Sequence, residues 1–466
     1  MGLLKELERG NLTDTGQELH RFAADLYPIC RSITGAGIRR TLALIQERIP
    51  LQIFEVPTGT PVFDWTVPKE WNIRDAYIKD SRGNRVVDFR QCNLHVLNYS
   101  TPVRATMPLT ELKAHLFTLP ENPDWIPYRT SYYQENWGFC LSHNQMLALE
   151  DGDYEVCIDS SLEDGHLTYG ECYLPGRSSD EVLISCHACH PSLANDNLSG
   201  LTVAAFLAQF LSGRDLRYSY RFLFIPGTIG AITWLARNRE NAGRIRHGLV
   251  LTCIGDAGGF HYKKSRRGNA EIDRAAAHVL RQYGESPEIL EFSPYGYDER
   301  QYCSPGFNLP VGCLMRSVWA SFPEYHTSAD NLDFVRPAAL GGSLRACAAI
   351  LDVLENNLRY RNLNPYCEPQ LGRRNLYHAT GGDSVGAEIS ARLWVLNFSD
   401  GEHSLLDIAE RSGLPFSALS DAAELLSQNG LLSAVPAAPG PETDPSGGDV
   451  VPLRQNRFGV KIGTPD

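Results

Sequence analysis

A short apolar run, Val182-Leu183-Ile184, leads into a polar segment, Cys186-His187-Ala188-Cys189-His190-Pro191-Ser192-Leu193-Ala194-Asn195-Asp196-Asn197-Leu198-Ser199-Gly200. Apolar residues at helical spacing follow at once, from Leu201 to Leu211. The pattern reads as buried strand, polar loop, helix. A strand that feeds a helix directly belongs in an open α/β sheet, where loops at the carboxyl ends of strands carry the ligand site. Two histidines, two cysteines and an aspartate on such a loop are metal donors. Three arrangements fit them: a thiolate knuckle on Cys186 and Cys189, buried thiols beside a hydrogen-bonded histidine, or a catalytic-type site of histidine and carboxylate with one position open. A knuckle needs four ligands, and the CxxC has no second pair, so the catalytic type leads.

The rest of the chain repeats the alternation. Ser219–Pro226 and His247–Ile254 read as strands, Ala231–Asn238 as a helix, and Pro337 is placed to open a long apolar helix, since a first turn has no use for the N–H that proline lacks. This predicts an α/β fold with a mainly parallel sheet and helices on both faces. Short alternating runs around Trp65, Pro68, Trp71 and Tyr77 mark a small β-rich insertion over 58–115. It divides an α/β domain made of 1–57 and 116–372. Three short helices and a strand after Arg373 resemble a winged helix over 380–435, and the Pro-, Gly- and Asp-rich residues 436–466 read as a disordered tail.

Charge and cysteine usage narrow the function. The net charge of −12 opposes non-specific binding to nucleic acid. The winged-helix segment is itself acidic, with Asp400, Glu402, Asp407, Glu410, Asp421 and Glu424 set against Arg392 and Arg411, so a packing or dimer contact is expected of it rather than DNA binding. A homo-oligomer through this segment or the β-insertion is the expected assembly. No run of about 18 apolar residues marks a membrane span. Met1–Arg9 lacks the apolar core of a signal peptide, and 12 scattered cysteines suit reduced thiols, so the expected location is cytoplasmic.

Four stretches are candidates for one cleft: Cys186–Asp196, Pro226-Gly227-Thr228-Ile229-Gly230, Ile254-Gly255-Asp256, and Phe322-Pro323-Glu324-Tyr325-His326-Thr327-Ser328-Ala329-Asp330. The segments Asn195–Gly200 and Tyr325–Asp330 resemble the metal signatures of the di-zinc aminopeptidases. Tyr27–Ser32, Trp65–Trp71 and Asp298–Tyr302 resemble the branch of that clan with an inserted β-domain and a C-terminal winged helix. The resemblance implies a zinc site on His190, Asp196 and His326, with His187 as the alternative first imidazole. In an extended segment His187 and His190 point to opposite faces, so one of them is expected to bind, and His190 is preferred.

The departures from the clan matter as much. The clan places two glutamates where this chain has Gly227 and Thr228, so one zinc ion rather than two is expected. Glu324, or Asp256, is the candidate replacement base, or else a carboxylate that orients a ligand histidine. Asp256, Glu299 and Arg300 are candidates for substrate contacts, the last two equally for a solvated loop. The expected function is an aminopeptidase-like amide or peptide hydrolase acting on a small peptide or aminoacyl substrate, in a small-molecule or polysaccharide biosynthetic setting. The alternative is a metal-binding pseudoenzyme or ligand-binding protein that lost its base at Gly227.

Overall fold

The structure is a computed structural model that describes residues 2–282, 287–377 and 386–435. The expected disordered tail, 436–466, lies outside the described residues. Eight strands form the central sheet: β1 (Gln52–Pro57), β2 (His166–Leu174), β3 (Glu181–His187), β4 (Ser219–Ile225), β5 (Ile245–Leu251), β6 (His261–Lys263), β7 (Glu288–Leu290) and β8 (Val311–Met315). They lie in the order β1-β2-β4-β3-β5-β8-β6-β7. The pairs β3/β4, β3/β5, β5/β8 and β6/β7 are parallel, and the other three are antiparallel. The sheet is therefore mixed, with a parallel centre and antiparallel flanks. The chain leaves β3 for β4 on one side and returns to β5 on the other, which opens a crevice at the carboxyl end of β3.

Alternation in β3 explains why both faces are covered. Val182, Ile184 and Cys186 face one apolar cluster, and Leu183 faces the other. The first cluster is built on Pro337–Asn356, which packs against Leu12–Leu26, Gly200–Leu211 and Glu271–Arg281. Among the described residues this is the one helix long and apolar enough to cross a membrane, and 78% of its apolar window is buried in the protein. It is a core helix, and Pro337 opens it as the sequence predicts.

Glu70–Lys79, Arg85–Asp88, Val103–Pro108 and Asp153–Glu163 form a separate four-stranded antiparallel sheet. Its fourth strand comes from beyond 58–115, so the inserted segment pairs with chain that returns from the main body. At the C-terminus, helices Ala387–Phe398, Leu405–Ser412 and Phe416–Gln428 pack with a three-stranded sheet. One of those strands, Arg359–Asn362, directly follows the core helix. Arg274 pairs with Asp407 (2.5 Å) and Glu410, and Lys5 with Asp421, which ties this unit to the α/β body.

Candidate metal centre

The loop after β3 is held by its own polar side chains. Asn195 donates through Nδ2 to Asp256 Oδ2 (2.7 Å) and accepts the Gly255 N–H at Oδ1 (2.8 Å). Asn197 donates to the Leu251 carbonyl (2.8 Å) and accepts from the Gly200 N–H (3.1 Å). Asp330 accepts the Asn195 and Asp196 amides, one on each oxygen, at 2.5 and 3.0 Å. Burial pushes the Asp330 carboxyl up to about 7 against those amides. The Asn-Asp-Asn motif thus spends both asparagines and the distant Asp330 on fixing backbone, and leaves the Asp196 side chain free to point into the crevice.

Three imidazoles converge on that carboxylate, which is fully buried. His187 Nε2 lies 2.8 Å from Oδ1. His190 Nδ1 lies 3.2 Å and His326 Nε2 3.0 Å from Oδ2. Burial alone would raise the pKa of Asp196, but His190 and His187 hold it well below the usual carboxylate range. Among the described residues, His187, His190 and Asp196 have donor atoms that all lie within 4.8 Å of one another. Imidazole nitrogens with a carboxylate are a donor set that fits zinc. His326 sits at φ 56°, a left-handed conformation that a non-glycine residue adopts at a cost, and such strain clusters at functional sites.

Aromatic side chains wall the cluster. Tyr297 stacks on His187 (ring centroids 4.3 Å, 5° between planes) and donates its hydroxyl to Asp196 Oδ2 (2.9 Å). Tyr325 stacks on His326 (4.0 Å), and its hydroxyl lies 2.6 Å from that of Tyr297. Tyr128 meets His190 and His326 edge-on, at 5.1 and 5.0 Å.

One expectation is corrected. His187 and His190 both reach Asp196, because strand alternation ends with β3 at His187 and the chain turns before His190. Asp256 is buried, and Asn195, Gly258 and Ser317 occupy its oxygens. Glu299 is fully buried on Lys263 Nζ (2.8 Å) and the Tyr297 N–H (3.1 Å), so it braces the Tyr297 loop from below. Arg300 is half-buried, and its Nε has no hydrogen-bond partner. Among the described residues, no hydrogen bond or ion pair joins Arg300 or the Glu324 side chain to Asp196 or its histidines. The thiols do not converge either, since Cys186 donates to the Leu223 carbonyl and Cys189 to that of Gly227.

Sequence reasoning missed Tyr297 and Asp330, and it offered Asp298 only as an acid that could hold a substrate amine. Asp330 carried a signal in its place within the His326 stretch. Tyr297 sits in a loop whose polar neighbours gave no way to rank it.

Comparison with known proteins agrees with this layout. Residues 20–357 match a family described as a domain of unknown function (DUF4910), and residues 358–434 match a winged helix-turn-helix. A Clostridium acetobutylicum protein, named for polysaccharide biosynthesis and an aminopeptidase-like domain, is 53% identical over 426 residues, 91% of this chain and 98% of that protein. A crystal structure from the same organism, described as a peptidase, superposes with a TM-score of 0.88 at 51% identity over 93% of this chain and 100% of that one. A zinc aminopeptidase from Bacillus subtilis shares the fold at a TM-score of 0.52 and 10% identity, over 72% of this chain and 94% of its own. Matched over most of its length by one family model and by a relative more than half identical, the chain belongs to the DUF4910 family of aminopeptidase-like proteins with a C-terminal winged helix.

Proposed function

We propose that this chain is a zinc-dependent hydrolase of amide or peptide bonds, acting on an aminoacyl or N-terminal group of a small substrate. The observation that carries the reading is the convergence of His187, His190 and His326 on the buried carboxylate of Asp196. Of these four side chains three would hold one zinc ion and leave a position open for water, with His187 added to the candidates His190, Asp196 and His326 that the resemblance implies. Zinc would supply Lewis-acid polarisation of the scissile carbonyl and an acidified water. The protein's own part is orientation. Asp330 fixes the backbone that carries Asp196, Tyr297 holds one carboxylate oxygen by its hydroxyl, and the stacked Tyr297 and Tyr325 rings fix two of the imidazoles. The name of the Clostridium relative supports a polysaccharide-biosynthesis setting for the substrate.

The test is turnover of a panel of aminoacyl anilides by the full chain, before and after chelation. Hydrolysis lost on chelation and restored by zinc is the expected result. Turnover that persists without metal, or none with zinc bound, refutes the reading. A second reading, a metal-binding protein without turnover, draws on Gly227: a Cβ added there would stand 3.0 Å from His187 Cβ, so the packing leaves little room for the glutamate of active relatives in the clan. Zinc bound with no hydrolysis of any anilide favours it.

A further inference from the structure

The carboxylates around the cleft are nearly all spoken for. Asp196 has its imidazoles and Tyr297, Asp330 two amides, Asp256 an amide and two side chains, and Glu299 the Lys263 ammonium. Asp298 is the exception among the buried ones. It is fully buried, and neither Oδ1 nor Oδ2 has a hydrogen-bond partner. An unpaired carboxylate in such surroundings is costly, and native folds satisfy or neutralise it. The nearby Arg300 does not pair with it, since the Arg300 Nε is itself buried and unpartnered. The fold gives Asp298 no structural task that would explain an acid there.

Its position supplies one. Asp298 Oδ1 lies 3.5 Å from the point where a Cβ on Gly227 would stand, and that point is 3.0 Å from His187 Cβ. Gly227 directly follows the β4 strand through Pro226, and Asp298 directly follows Tyr297, whose ring lies on His187. The carboxylate therefore lies beside the place where residue 227 has no side chain. Resting on the hydrolase reading above, we propose that Asp298 is the proton-accepting carboxylate of this site, taking the part that Gly227 cannot. Asp298 accepts a proton from the attacking water as the water oxygen bonds to the scissile carbonyl carbon. As the C–N bond breaks, the same proton passes to the leaving amine nitrogen, and the carboxylate is restored. One water is consumed and no electron transfer is involved.

The test compares wild type, Asp298→Asn and Asp298→Ala as full chains loaded with zinc, on the anilide that wild type cleaves best. Asp298→Ala removes a buried unpartnered carboxyl and should fold at least as stably as wild type, while Asp298→Asn keeps its shape. Each should lose about a hundredfold or more in kcat, with KM, zinc content and melting temperature unchanged, and formate should restore part of the rate of the alanine variant. A variant within about threefold of wild type overturns the assignment and leaves the hydrolase reading standing. Loss of rate in step with loss of zinc also overturns it, because Asp298 would then act through the metal ligands. A wild type inert on every anilide overturns the hydrolase reading, and the role of Asp298 with it.

Discussion

The Lys263–Glu299 pair makes a sharp prediction, because its charges are shut away from solvent. Lys263 is 2% exposed and Glu299 0%. Lys263 Nζ donates to Glu299 Oε1 (2.8 Å) and to the Tyr295 carbonyl (2.7 Å), while Glu299 Oε2 accepts the Tyr297 N–H. Glu299→Gln keeps the shape but leaves the ammonium buried without its counter-ion. Breaking one partner of a buried pair costs roughly 3–5 kcal/mol, whereas replacing both by apolar residues of similar volume is often neutral. Glu299→Gln should therefore destabilise by about 3 kcal/mol or more, and Lys263→Met with Glu299→Met should recover most of that loss. Because the pair holds the loop that carries Tyr297, the single variant should also weaken zinc binding. Urea unfolding followed by far-ultraviolet circular dichroism, with a zinc titration of each variant, measures both effects. A single variant within about 0.5 kcal/mol of wild type, or a double variant as unstable as the single, refutes the reasoning.

Other outcomes follow from the same reasoning. His247 is buried with Nδ1 unpartnered, and burial, followed by the Arg217 charge, pushes its pKa down to about 3. The unfolded chain takes up a proton that the fold refuses. The stability from this site is complete above about pH 6.5 and falls by about 1.4 kcal/mol per pH unit down to about pH 3. His247→Phe should flatten the acid side of the stability curve, and an unchanged slope counts against it. The full chain should not shift duplex DNA at physiological salt, since Asp421 on the Phe416–Gln428 helix pairs with Lys5 and the Leu405–Ser412 helix presents Asp407 and Glu410 to Arg274. Salt-sensitive retardation of duplex DNA is the contrary result. Gly296→Ala should destabilise in the same direction as Glu299→Gln, because the added methyl would meet the Glu299 carboxylate and Lys263 Nζ.

The sequence carried the strands, the helices and the candidate metal loop because these are periodic or local. The apolar β3 run and the helix behind it could be read directly, and so could the start of the core helix at Pro337. What it did not carry was direction at element ends and the partnering of polar groups. The prediction that His187 and His190 diverge applied a strand rule one turn beyond the strand. Asp256, Glu299 and Arg300 looked like substrate ligands because polar residues on a cleft loop resemble one another in sequence. Their partners, Asn195 and Lys263, lie 61 and 36 residues away, and only the folded chain shows that two of the three are consumed internally. Asp298 stands out for the opposite reason, since nothing in the chain satisfies it. That property belongs to the packed structure and leaves no mark in the sequence.

The central claim, that Asp196 and its three histidines form a zinc site, is tested most directly by the metal content of the purified full chain and its variants. Mass spectrometry of the metal in protein freed of loosely bound ions should find about one zinc per chain, as expected for a catalytic-type site. Asp196→Asn and His190→Ala should lose it, and a Cys186→Ser, Cys189→Ser double variant should keep it. Zinc retained without the Asp196 carboxylate, or lost only when the two thiols are removed, would contradict the account.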